Sequence, residues 1–292
     1  MKRFKLIDEC FSYVGKSEFG EQTGYAAINR IPKHVEWVHN GFGKWMETYK
    51  ELSPTDETFY TEKLIDMGLH DNVSSKKYAW LIEPRWYNQM ASKIKSNPRP
   101  YIDAYDAIFT HDKELLDLDS TFKFVIGQGS VIEEIGLFEK TKLVSCIVSE
   151  KTMSDGHNLR LQFARELEKT GQVDMYGKAF NYIHKKIDSI KDYMFSFAME
   201  NDFYPSYFTE KLNDCFLTGT IPIYLGPPNI GDFYNIDGII VIENDNGNVS
   251  FNSDILSKEY YYEHIDAIKD NYERALLFTS CEDFMFLNYF NE

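Results

Sequence analysis

YMFSFAMENDFYPSYFTEKLNDCFLTGTIPIYLGPP, residues 193–228, is the stretch whose reading decides the fold. From Tyr193 to Met199 it is apolar apart from Ser196. A run of that length, closed by the polar pair Glu200-Asn201, is the pattern of a strand buried on both faces. Pro205 then breaks the chain, and 207–217 reads as a helix with two faces. Tyr207, Glu210, Lys211 and Asp214 fall on one face at i, i+3, i+4 and i+7, and Phe208, Leu212, Cys215 and Phe216 on the other. Ile221 to Leu225 forms the next apolar strand before Gly226-Pro-Pro228 turns the chain. Strand, helix, strand in this order is half of a parallel α/β unit. Its apolar helix face packs on the sheet, and its polar face looks toward the crevice beyond the strand ends.

Working outward, 143–149, 173–176 and 239–242 are further strands. The helix predicted over 157–169 carries Leu159, Phe163 and Leu167 along one stripe. Two closing helices, 260–278 and 283–291, cover the sheet or pack back across another domain. The first half reads as a second, smaller α/β layer with strands over 34–38, 78–82, 107–110 and 122–126. Within it Ser96-Asn-Pro-Arg-Pro100 is a chain breaker and 86–96 is helical or loop-rich. The domain border is expected near 136–142, giving domains over 1–138 and 139–292.

A chain of 292 residues is long enough for two modest cores. Its 43% hydrophobic and 16% aromatic content is that of an ordered globular protein. A formal charge of −15 repels a phosphate backbone, so no nucleic-acid partner is expected, while a small anion in a local basic pocket is compatible with it. Cys10, Cys146, Cys215 and Cys281 form no C-x-x-C pair and read as reduced core thiols. The N-terminus meets acid at Asp8 and Glu9 before any signal-like apolar run, and nothing approaches the roughly 18 apolar residues of a membrane span. The sequons at Asn72 and Asn248 then read as accidental. A cytoplasmic location is expected, with peripheral membrane contact left open.

Several motifs that would indicate other chemistry are lacking. Asp117-Leu-Asp119 resembles a metal-binding D-x-D but lies in an acidic helix-like stretch over 112–119, far from the apparent ligand crevice. His111 and Asp112 fit no metal-ligand spacing, and no histidine lies in an H-E-x-x-H. Gly127-Gln-Gly129 lacks the third glycine of a dinucleotide fingerprint, and no P-loop pattern is present. Neither a metal nor a cofactor is expected.

Three linked blocks carry a family resemblance: Phe195-Ser-Phe-Ala-Met-Glu-Asn201, Tyr207-Phe-Thr-Glu-Lys-Leu212 and Gly219-Thr-Ile-Pro-Ile-Tyr-Leu-Gly226. In order and spacing they resemble the F-E-N, Y-x-T-E-K and G-T-x-P-I-x-x-G blocks of the family 10 α-1,3-fucosyltransferases. Met199 stands where Phe is common. Upstream, His157-Asn-Leu-Arg160 and Val173-Asp-Met-Tyr-Gly177 are similar to the family's R-x-x-x-x-x-x-L and v-D-x-x-G segments.

The resemblance implies a GT-B-like fold, with two Rossmann-like domains and the donor nucleotide in the C-terminal one. It also implies inverting, metal-independent transfer of fucose from GDP-fucose to a glycan hydroxyl. By it, Arg160 matches the phosphate-binding arginine, and Asn201, Tyr207, Glu210 and Lys211 fall on donor-binding positions. The chemistry agrees: two cations stabilise the charge growing on a nucleoside diphosphate leaving group, and Glu210 can accept hydrogen bonds from ribose or sugar hydroxyls. The implied base is a carboxylate in the N-terminal domain. Glu83, ending Tyr78-Ala-Trp-Leu-Ile-Glu83, resembles it, with Asp103 and Asp106 as alternatives. Trp37, Trp45, Trp80 and Trp86 crowd the first half, where an acceptor sugar could stack on such rings. A transferase with another nucleotide sugar, and a non-catalytic glycan-binding protein of the same fold, are the competing readings.

Overall fold

The computed structural model describes residues 1–8, 14–17, 20–23, 32–40, 43–245 and 247–291; Cys10 lies outside them. The chain divides into two units, one of Met1–Gly129 with Ser280–Glu292 and one of Ser130–Thr279. The sequence-based border at 138/139 therefore differs from this division, as does the assignment of the C-terminal tail to the second domain. Residues past Gly129 already bond within the second unit, where the Ser130 hydroxyl donates to Asp214 at 2.8 Å and the Gly136 amide to the Leu217 carbonyl at 2.9 Å. The tail belongs to the first unit. There the Asp283 carboxylate accepts from the Lys33 and His34 amides, each at 2.9 Å, and Phe290 packs on Phe4 and Tyr78 at 5.0 and 5.1 Å.

The second unit is a five-stranded parallel sheet in the order Asp174–Tyr176, Lys142–Ile147, Tyr193–Met199, Ile221–Leu225, Ile240–Val241. Every residue of Tyr193–Met199 and Ile221–Leu225 is buried, as their nearly continuous apolar runs require of central parallel strands. The Asp155–Thr170 helix packs Leu161, Ala164 and Leu167 into the same core as Phe195 and Phe197. It opens on a Ser154 cap and stops at left-handed Gly171. The expected 260–278 helix is two helices, Lys258–Glu263 and Ile265–Leu276. They part at His264, whose Nδ1 donates to the Tyr260 carbonyl at 2.8 Å while its ring stacks on Tyr260.

The first unit is a six-stranded parallel sheet in the order Val35–Val38, Lys2–Ile7, Glu57–Thr61, Lys76–Trp80, Ala107–Thr110, Phe122–Phe124. An aromatic cluster of Phe4, Trp37, Phe59, Tyr78 and Phe109 lines it, with neighbouring ring centroids 4.9–6.4 Å apart. Two of the four tryptophans weighed as sugar platforms are accounted for by the core. Trp37 and Trp80 are core, whereas Trp45 and Trp86 are half-buried. Among the described residues no helix is long and apolar enough to cross a membrane.

Candidate active site

In a parallel sheet every strand ends on the same side, and the loops beyond those ends are where side chains can converge on a ligand. In the second unit the convergence is built on Glu200, the residue that follows the Tyr193–Met199 strand. Glu200 is fully buried, and its carboxylate is saturated with donors. Thr209 gives it both its amide, at 2.9 Å, and its hydroxyl, at 2.7 Å, and the Tyr224 hydroxyl lies at 3.4 Å. Lys211 Nζ is 3.3 Å away. A buried carboxylate needs such partners to stay charged.

Thr209 sets the start of the helix, which runs Glu210–Phe216 with the Thr209 hydroxyl accepting from the Lys211 amide. The expected start at Tyr207 is therefore three residues early, because the cap, not the apolar spacing, decides where helical geometry begins. Tyr207 lies in the preceding loop, buried, and its hydroxyl donates to Asn201 Oδ1 at 2.7 Å. Asp214, predicted on the polar face, is instead fully buried, bound by Lys186 Nζ and the Ser130 hydroxyl, each at 2.8 Å. Burial works to lower the Lys186 pKa, but Asp214 and Glu210 outweigh it and hold it above the usual lysine range. Lys186 also donates to the Glu210 carbonyl at 3.2 Å, tying down the first turn of the helix.

Lys211 stands between two carboxylates. Its Nζ donates to the Thr209 hydroxyl at 2.9 Å and lies 3.2 Å from Glu210 Oε1. For Glu210, burial works toward a higher pKa. Lys211 and Lys186 outweigh it and hold the carboxyl at about 2, so it is an anion and a pure acceptor at neutral pH.

Arg160 enters from the Asp155–Thr170 helix and is 7% exposed. Nη1 donates to the Met199 carbonyl at 3.2 Å and Nη2 to the Ser149 hydroxyl at 3.4 Å. Its Nε is buried and has no hydrogen-bond partner among the described residues. Burial lowers its pKa, and Glu200, Glu210 and Tyr207 act against that. A guanidinium held this way near Glu210 is a cation with a donor to spare.

The five residues assigned to donor binding are thus gathered beyond the C-terminal end of the central strand. Glu200, Thr209 and Lys186 complete the cluster and were missed. For Thr209 a signal existed, since a threonine ahead of Glu-Lys is a capping residue.

The turn that brings the Arg160 helix in is close-fitting. A Cβ at Gly156 would lie 2.3 Å from the Asn201 carbonyl oxygen. Gly156→Ala is therefore expected to destabilise the protein by about 1–3 kcal/mol, read from urea unfolding. An unchanged midpoint would mean that these two backbones do not meet.

Glu83 is half-buried in the first unit, beyond the Lys76–Trp80 strand. Its amide and that of Ile82 both donate to Glu62 Oε1, at 2.8 and 2.6 Å. Arg85 pairs bidentately with Asp112, its Nε 2.6 Å from Oδ2. The alternative carboxylates are otherwise engaged. Asp103 pairs with Arg99, and Asp106 accepts the Lys77 amide at 2.8 Å at the opposite end of the strands. Asp117 pairs with Lys113, and Asp119 accepts from Thr121.

Two histidines flank these sites. Burial pushes His111 and His157 down to about 4, with Arg160, Lys151 and Lys211 adding to the effect at His157. Below pH 6.5 the unfolded chain takes up protons that the folded one refuses, so stability falls as the pH drops toward 4. For the fully buried His111 the whole span is worth about 3 kcal/mol. Urea titrations at pH 7 and 5 check this, and His111→Gln should reduce the difference, leaving the part that His157 contributes.

Comparison with known proteins agrees with the geometry of the second unit. Residues 137–243 match the glycosyltransferase family 10 (fucosyltransferase) C-terminal model. Over 112 residues the chain is 34% identical to 4-galactosyl-N-acetylglucosaminide 3-alpha-L-fucosyltransferase 9 of Cricetulus griseus, and equally to that of Homo sapiens. The match takes in 37% of this chain and 30% of each relative. Among solved structures, sucrose-phosphate synthase from Thermosynechococcus elongatus superposes with a TM-score of 0.57 at 8% identity, over 85% of this chain and 76% of that one. HepE from Anabaena, in complex with UDP-glucose, does so at 0.55 and 9% identity over 99% of both chains. The two parallel sheets thus have the GT-B architecture that the sequence led one to expect.

Proposed function

We propose that this protein is an inverting, metal-independent glycosyltransferase that moves fucose from GDP-fucose to a glycan hydroxyl. The observation that carries the reading is Arg160: a buried guanidinium whose Nε has no partner among the described residues, close enough to Glu210 to feel its charge, in the segment that matches a fucosyltransferase family model. In this reading Arg160 and Lys211 meet the diphosphate. Glu210 accepts from hydroxyls of the donor, and Tyr207 and Asn201, joined to each other, shape the wall of the site.

The reaction is a single displacement. The acceptor oxygen bonds to the anomeric carbon as the bond from that carbon to the β-phosphate oxygen breaks, and GDP leaves with the electron pair. Arg160 and Lys211 stabilise the charge that grows on that oxygen. Glu83 takes the acceptor proton as general base.

The nucleotide is tested by thermal shift. GDP at about 100 times its Kd is expected to stabilise the folded protein by about 2.7 kcal/mol, with UDP and CMP giving much smaller shifts. Equal shifts from UDP would replace the GDP-sugar reading by another nucleotide sugar. A GDP shift without turnover of GDP-fucose on any GlcNAc-type acceptor would favour a glycan-binding protein.

A further inference from the structure

We infer that Glu62 is a positioning residue for Glu83, fixing the backbone from which the proposed base projects; the inference rests on the reading of Glu83 as that base. The Glu57–Thr61 and Lys76–Trp80 strands pair in parallel up to Thr61 opposite Trp80. Beyond that point the first strand ends and Glu62 turns into a short 3-10 turn, Glu62–Leu64. The amides of Ile82 and Glu83 are left beyond the ladder, and the Glu62 side chain serves them in place of backbone. Its Oε1 accepts from Ile82 at 2.6 Å and from Glu83 at 2.8 Å.

The same stretch is held from its other side. His111 Nε2 lies 3.1 Å from the Ile82 carbonyl, and a carbonyl can only accept, so the imidazole carries its proton there. The peptide linking Ile82 to Glu83 is therefore gripped at its oxygen by His111 and at its N–H by Glu62. Both gripping residues are buried, at 2% and 7% exposure. With that plane fixed, the Cα of Glu83 is placed and rotation about its N–Cα bond is the one backbone torsion left to aim the side chain, and a base must be within hydrogen-bond reach of its proton to act.

Glu62 makes this contact from a left-handed backbone, with φ at 48°. A glycine would meet the turn without the steric cost that a Cβ brings. If Glu62 served only the turn, Glu62→Gly would be harmless or stabilising. As a positioning residue it must cost turnover.

The experiment compares Glu62→Gly, Glu62→Asn and Glu62→Gln in the full chain, with GDP-fucose and a GlcNAc-type acceptor. Glycine and asparagine both tolerate the left-handed turn but do not reach the two amides, while glutamine keeps an oxygen at the same length. The Gly and Asn variants are expected to lose about 10²-fold in kcat, with donor KM and the GDP thermal shift unchanged. The Gln variant should stay near wild type. Amide hydrogen exchange should quicken at Ile82 and Glu83 in the Gly and Asn variants while the rest of the sheet stays protected. Wild-type kcat in either short variant that folds overturns the inference, as does a Gln variant as impaired as the Gly one. If both short variants unfold, exchange at these amides in the Gln variant decides, and protection lost there overturns it. The two readings fail separately: full turnover by Glu83→Gln removes the base assignment itself, whereas an inactive Glu83→Gln with a fully active Glu62→Gly removes only Glu62.

Discussion

Lys211→Ala is expected to lower kcat/KM for GDP-fucose by about 10²–10³-fold, the cost of removing one preorganised group that stabilises leaving-group charge. The loss should fall on both donor KM and kcat, since a cation that meets the diphosphate binds the ground state and holds the charge that grows on departure. A second effect follows from what Lys211 touches. Its Nζ sits 3.3 Å from Glu200 Oε2 and 3.2 Å from Glu210 Oε1, and Glu200 has no exposure to water. Taking the ammonium away leaves a buried carboxylate served only by neutral donors. The folded state should lose about 1–3 kcal/mol, less than for a fully buried pair because the lysine side chain is 22% exposed. Steady-state kinetics and urea unfolding on the same protein read the two effects. Wild-type affinity for GDP in this variant would dismiss Lys211 from the phosphate role whatever the stability change.

Glu83→Gln should show the opposite partition. An amide has the shape of the carboxylate but cannot take up the acceptor proton, so kcat is expected to fall by about 10²–10⁴-fold. Donor binding should not follow. Glu83 and the Arg160–Lys211 cluster belong to different units of the chain, and GDP should shift the melting of the variant as it shifts that of the wild type. Unchanged turnover would remove Glu83 from catalysis. A parallel loss of GDP binding would mean that the substitution disturbs folding more widely than its half-buried position implies.

Some of this was open to reading along the chain. The Tyr193–Met199 and Ile221–Leu225 strands have the bounds their apolar runs predict, and Ala107–Thr110 does as well. Continuous apolar runs of that length have few other uses in a small α/β domain. Glu210 and Lys211 were legible as a polar pair at the first turn of a helix, and the linked blocks around them as a family signature. Arg160 was not legible by itself, because an arginine on a helix carries the same local pattern whether it faces water or a buried site. Only the tertiary placement of Ser149 and the Met199 carbonyl around it separates the two cases.

The sequence by itself determined the five strands of the second unit and their order along the chain, because strand periodicity and chain breakers act over a few residues and leave a local trace, whereas the Lys2–Ile7 and Glu57–Thr61 strands of the first unit were not read from it. The tertiary structure decided the rest. It took Asp214 from the expected polar face into a buried pair with Lys186 and Ser130, 28 and 84 residues away along the chain. It returned Ser280–Glu292 to the first unit through contacts spanning about 250 residues, such as those of Asp283 with the Lys33 and His34 amides. And it made Glu200, a lone acid after an apolar strand, the anchor of Thr209 and Lys211. These are matters of which distant groups share a dry space, and spacing along a chain holds no record of that until hydrophobic burial has brought the strands side by side.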